Sequence, residues 1–313
     1  MKTYVLQLDY LKSLFIILMI LFHLVYIGDT YPYMKQVVYT FHMPVFLILS
    51  GYLSQTEKTV KSFISSTWWL FIPYAFMEVG YVIAASFIPV REYIGELSLT
   101  NVIKRVFLDP VGPYWYLHTL LLCRIFHYTV AKVTASKFVP LSFLIVLGLC
   151  YWLFSEGLSL MRFSDAMFFL IGVGIRRCGL DILHVCQPSL WSFIPLVILC
   201  YYPNNLLRFN LAGVIITYLV ISLSLWLYLR LPEKIKQGCH LIGKNTLVML
   251  LFSPLFTMLS RIYLPVFMFD KSGVCFALFT IVLTLIGCLT IAWGMDRVHI
   301  SRWMFGRERI LQI

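Results

Sequence analysis

The chain has 313 residues, of which 60% are hydrophobic, 17% aromatic and only 12% charged. A soluble domain has no use for so much apolar surface, whereas a run of about twenty apolar residues suffices to span a bilayer, so the composition is that of an integral membrane protein. The formal net charge of +11 would point to nucleic acid only if the basic residues gathered on one surface; they are dispersed among short loops, read as topology signals, and no nucleic-acid partner is expected.

Apolar run length predicts an all-α fold, a polytopic membrane bundle of about ten transmembrane helices forming a single domain over 1–313. The runs lie roughly at 10–27, 37–53, 64–89, 114–133, 138–154, 163–175, 190–202, 210–230, 240–264 and 273–295, those at 163–175 and 190–202 being short. No small-residue cleavage site follows the first run, which reads as a retained span. Loops on one side carry Lys2, Lys58, Lys61, Lys132, Lys137, Arg176, Arg177, Arg230, Lys234, Lys236 and the arginines beyond 296; the other side carries only Lys35, Arg91, Lys104, Arg105, Arg162, Arg208 and Lys271. The richer side includes both termini, which are therefore expected in the cytoplasm of a cell-membrane protein. The eight cysteines show no metal or redox spacing and are expected as free thiols.

The first span opens with Asp9 and Lys12 and carries His23 before its end near Ile27. Lys12 and His23 are eleven positions apart, about three helical turns, so they share a face and stand roughly 16 Å apart along the axis. Ionisable groups inside a span are costly and face a bundle interior or a wet cavity. The plainer reading is a snorkelling lysine and a histidine bonded to a neighbouring helix. His42 sits near the outer end of the second span, at a depth similar to His23. Pro44 falls in that span's first turn, where proline is tolerated, and Ser50 and Gly51 suit close helix packing. Glu78, near mid-membrane in the third span, demands a partner or water; Arg124 in the fourth lies at compatible depth, and the two either pair with each other or belong to a site. The loop 90–113 is the longest on the outer side and has room for an interfacial helix. His118 follows one turn after Tyr114 and reads first as a belt residue with no catalytic task.

The stretch DYLKSLFIILMILFH (9–23) resembles the opening of the membrane acyltransferase-3 family, in which a basic residue, ten others and a histidine begin the first span; arginine is usual where this chain has Lys12. FHMPVFLILSGYL (41–53) resembles the family's second signature, PYWYLHTLLLCR (113–124) a tryptophan-centred segment, and the end of FSDAMFFLIGVGIRR (163–177) an aromatic-glycine span closed by basic residues. In GKNTLVMLLFSP (243–254) the family often has a late histidine, and Phe252 stands there instead.

The resemblance implies acyl transfer from acyl-coenzyme A, most often acetyl-CoA used as a donor substrate, to a hydroxyl of a surface polysaccharide, a lipid-linked sugar or another envelope glycan, with no bound cofactor. The residues allow this chemistry. There is no G-x-S-x-G elbow, phosphate-cradling loop or H-E-x-x-H helix, which leaves His23 as general base, or as an acyl-histidine nucleophile, with His42 orienting substrate or polarising the carbonyl. Lys12, with Lys58 and Lys61, offers a point-charge phosphate site, and Asp9 is placed to pair with Lys12. Trp115, His118, Glu78 and Arg124 are candidates for donor and substrate contacts. A ten-span transporter of lipid-linked sugars is the competing class, with His23, Glu78 and Arg124 along its path. A metal site from His23, His42 and His118 ranks last.

Overall fold

A computed structural model describes residues 6–87, 97–134 and 139–312. Lys2, Arg91 and Lys137 of the topology argument lie outside the described residues. In chain order the helices are α1 (Leu6–His23), α2 (Val25–Thr30), α3 (Pro32–Leu53), α4 (Val60–Phe87), α5 (Leu99–Phe107), α6 (Trp115–Val133), α7 (Pro140–Trp152), α8 (Phe163–Arg177), α9 (Ile182–Val185), α10 (Phe193–Tyr201), α11 (Leu211–Arg230), α12 (Glu233–Lys244), α13 (Thr246–Tyr263), α14 (Val274–Arg297) and α15 (Ile300–Phe305). No strand occurs among the described residues.

Among the described residues, seven helical stretches are long and apolar enough to cross a membrane: α1, α3, α4, α7 with the π-turn Leu153–Gly157, α11, α13 continuing to Phe267, and α14. Three of the ten expected spans do not qualify. α6 is interrupted by His118, Arg124, His127 and Lys132, α8 has 15 residues, and α10 has 9; nine residues reach about 14 Å against a hydrocarbon core of about 30 Å.

Three expected boundaries move. The first span breaks at Leu24, whose φ of −67° and ψ of 112° are extended, so His23 is the last residue of α1 and not a residue within a longer span. α3 begins at Pro32, a good first position for proline, which puts Pro44 in the helix interior and not in its first turn. Pro44 has no N–H for the carbonyl of Thr40 four residues earlier. The run from 240 is not one span: its polar beginning belongs to α12, and α13 starts afresh at Thr246.

The chain divides into two compact units. The first comprises Met1–Phe46, Leu183–Trp303 and Arg307–Ile313. In it α1 packs along α11, α12 and α13, α13 lies against α14, and α10 against α11. The approach of α12 to α1 is close enough that a Cβ on Gly243 would stand 2.0 Å from the carbonyl oxygen of Asp9. Two polar side chains, half-buried Asp296 and buried Asn245, hold the C-terminal segment to this unit. The carboxylate of Asp296 accepts from the backbone N–H of Ile310 (2.9 Å), the N–H of Leu311 (3.1 Å) and the hydroxyl of Ser301. Asn245 accepts from the N–H of Gln312 (2.9 Å) and donates to its carbonyl (2.7 Å).

The second unit comprises Leu47–Ile182 and Met304–Gly306. α6 packs on α4, α7 and α8, and α5 lies on α4. The end of α3 crosses α8 on two glycines: a Cβ on Gly51 would stand 2.1 Å from Phe169 O, and one on Gly172 2.0 Å from Ile48 O. The small-residue reading of Gly51 as a packing position therefore holds. α5 is the helix for which the loop 90–113 had room; Ser98 caps it by accepting from the N–H of Asn101.

Candidate active site

Two histidines meet in the first unit around one tyrosine. His23 ends α1, and His42 lies on α3 with 1% of its surface exposed. The ring of Tyr39 stands 5.9 Å from the His23 ring and 5.0 Å from the His42 ring, centroid to centroid. Both imidazoles are tied in the same way. Nδ1 of His23 lies 2.7 Å from Met19 O, and Nδ1 of His42 lies 2.9 Å from Val38 O, each the carbonyl four residues earlier in its own helix. A backbone carbonyl only accepts, so in both rings Nδ1 carries the hydrogen and the neutral ring keeps its lone pair on Nε2. A positioned Nε2 lone pair is what a general base needs. Among the described residues no third histidine, cysteine or carboxylate joins the pair as a metal ligand set.

Cations surround this pair. Lys35 and Arg208 lie within electrostatic reach of His23, Arg208 also of His42, and the two imidazoles of each other. Lys35, in the first turn of α3, places Nζ 5.5 Å from the centre of the Tyr39 ring, and its side chain lies over Gly28, where a Cβ would meet it at 3.1 Å. Arg208 arrives from the turn between α10 and α11 and donates from Nε to Tyr39 O at 3.0 Å. Thr40 donates to Leu206 O at 2.9 Å, fixing the same turn to α3.

The match to known families is decisive for class. A family described as acyltransferase domain, acyltransferase-3, matches residues 5–293, nearly the whole chain and both units. The chain belongs to the acyltransferase-3 family. A search of curated proteins and a search of solved structures each returned no match.

Within this acyltransferase domain the remaining candidates separate. Lys12 lies on the same unbroken helix as His23 and pairs with Asp9, Nζ to Oδ1 at 2.5 Å, as the i,i+3 spacing anticipates. Its neighbourhood is α12, since Gly243 touches Asp9. Nearby on α11, the ring of Tyr228 lies 5.1 Å from that of Tyr10, tilted by 43°, and its hydroxyl bonds His240 at 3.2 Å.

The second unit binds its candidates into structure. Glu78, fully buried, accepts from the backbone N–H of Val111 at 2.6 Å. His118 uses Nε2 on Phe107 O at 3.0 Å, and Tyr74 donates to Val106 O at 2.8 Å. Glu78, Tyr74 and His118 thus grip the segment 106–111 from α4 and α6. Arg124 donates to Ser66 Oγ at 3.4 Å; no ion pair joins it to Glu78 among the described residues. Trp115 stacks edge-on against Tyr116 at 6.4 Å, whose hydroxyl meets Ser50 Oγ at 3.0 Å. Residue-by-residue reading missed Tyr39 altogether and took Lys35 and Arg208 as topology charges. For Tyr39 and Lys35 the available signal was their place next to His42, Tyr39 three positions before it and Lys35 one helical turn before Tyr39; Arg208 carried no local signal.

Proposed function

We propose that this acyltransferase moves an acyl group, acetyl in the simplest case, from cytoplasmic acyl-coenzyme A to a hydroxyl of an envelope glycan or lipid-linked sugar, with His23 as general base and no bound cofactor. The observation that carries the reading is the His23–Tyr39–His42 cluster, with both imidazoles tied through Nδ1 so that Nε2 is the basic nitrogen. The acceptor oxygen attacks the thioester carbonyl carbon while its proton passes to Nε2 of His23. The tetrahedral intermediate then collapses, re-forming the carbonyl and breaking the carbon–sulfur bond, and the leaving thiolate takes the proton from His23. The products are the O-acyl ester and free coenzyme A. His42 shares the substrate-facing role, and Lys12, at the other end of α1, is the proposed contact for donor phosphate. Both termini are placed in the cytoplasm, following the distribution of basic loops.

The test is thiol release by the purified protein in detergent or vesicles, supplied with acetyl-CoA and a panel of glycan acceptors, together with proton NMR for the new ester. Acceptor-dependent thiol release supports the reading. Sugar movement across vesicles without thiol release would make the chain a transporter. For orientation, a cysteine at Thr100 should react with an impermeant reagent in intact cells, and Cys239 should not; the reverse pattern overturns the assigned sides.

A further inference from the structure

We infer that Arg208 is a catalytic residue of this site: its guanidinium stabilises the negative charge that develops on the thioester carbonyl oxygen. The inference rests on the acyl-transfer reading and adds to it the group that base catalysis leaves missing. Acyl transfer needs two things at the reacting carbon, a proton acceptor for the incoming hydroxyl and a fixed positive or hydrogen-bonding group for the oxygen that becomes an oxyanion. The imidazole pair supplies the first. It cannot supply the second from its Nδ1 hydrogens, because Met19 and Val38 hold them.

The geometry favours Arg208 over the other nearby cation. Lys35 is a point charge on a flexible stem. Arg208 is held at three levels. Its Nε donates to Tyr39 O, on the residue whose ring lies near both imidazoles. Its turn is fixed to α3 through Thr40 and Leu206. The end of the turn is locked onto α11: Asn210 caps the helix by accepting from Gly213 N–H at 2.5 Å and donates to Asn204 O at 3.1 Å. The absence of a side chain at Gly213 permits this, because a Cβ there would stand 2.2 Å from Leu207 O and 2.7 Å from Arg208 O. A charge fixed before the reaction begins stabilises an oxyanion without reorganisation at the moment of attack, which is where such groups gain their effect.

The test compares Arg208→Gln, Arg208→Lys and Arg208→Ala, measuring kcat and donor KM for acetyl transfer alongside thermal unfolding. Removing one oxyanion donor typically lowers kcat by about 10²–10³-fold. Arg208→Gln is expected to fall by that amount with donor KM unchanged, and Arg208→Lys to keep part of the rate. Added methylguanidinium should restore Arg208→Ala in a saturable way. A glutamine variant as fast as wild type overturns the inference while leaving acyl transfer standing. So does an equal loss in all three variants that follows their loss of thermal stability, with no rescue by guanidinium, since Arg208 would then only pin the turn. Wild-type protein that releases no thiol with any acceptor overturns both readings together.

Discussion

Four histidines, His23, His42, His118 and His127, lie in the helices α1, α3 and α6, two in each unit, and they are bonded differently. In the first unit His23 and His42 spend Nδ1 on a carbonyl of their own helix. In the second unit His118 reaches from α6 to Phe107 O at the end of α5, and His127 reaches from α6 to Ser54 Oγ just beyond α3. A bond within one helix fixes the tautomer and direction of a ring without holding two elements together. A bond between elements does hold them together, and the ring is occupied with structure. Burial does not make the distinction, because His42, His118 and His127 are all buried.

Exchanging the residues should break or sharpen this contrast, beginning with the largest effect. His23→Gln keeps polarity and loses the base; acyl transfer should fall by about 10²–10⁴-fold, the usual worth of a positioned base. Thermal unfolding and donor affinity should stay near wild type. A folded His23→Gln protein that acylates at the wild-type rate would transfer the base role to His42. Next comes the other end of the same helix. Lys12→Ala should raise donor KM by about tenfold or more, equivalent to about 1.5–3 kcal/mol for a lost charge-assisted contact, and Lys12→Arg should keep most of the affinity. Titration calorimetry with coenzyme A decides this: unchanged affinity in Lys12→Ala would leave Lys12 as the partner of Asp9 alone. The smallest effect on chemistry belongs to the second unit. His118→Ala and His127→Ala each remove a buried imidazole and its bond to another element, at a cost of about 1 kcal/mol or more. They should lower the unfolding temperature and the yield while leaving turnover per folded molecule intact. A loss of turnover in well-folded His118→Ala would return that residue to the donor or substrate contacts.

What was legible in the sequence follows from what periodicity and run length report. The long apolar helices α1, α3, α4, α11, α13 and α14 stand close to where their runs lie, and the i,i+3 pairing of Asp9 with Lys12 formed as the spacing implies. The break at Leu24 was hidden because Val25 to Ile27 continue the apolar run. The separation of α12 from α13 was hidden for a similar reason: His240 to Gly243 blend a half-polar helix into the span that follows. Glu78 needed a partner, and its carboxylate accepts from a backbone N–H 33 residues away, a contact no local pattern encodes. The Arg208 turn is the clearest case. Its residues carry no period, and their relation to Tyr39 spans 169 positions, so a charge count sees only a loop cation.

The C-terminal strap also sets an order of assembly. Joining Asp296 to Ile310 closes 14 positions, whereas joining Asn245 to Gln312 closes 67. Loop-closure entropy grows with the logarithm of loop length, so the longer closure is dearer by about 1.4 kcal/mol for a free chain. The Asp296 hook should therefore engage first. With residues 310 and 311 held and α14 already laid against α13, Gln312 is delivered to Asn245 at little further entropic cost. The corner between α12 and α13, two residues from the contact of Gly243 with Asp9, is thereby tied to a segment 67 positions further along the chain.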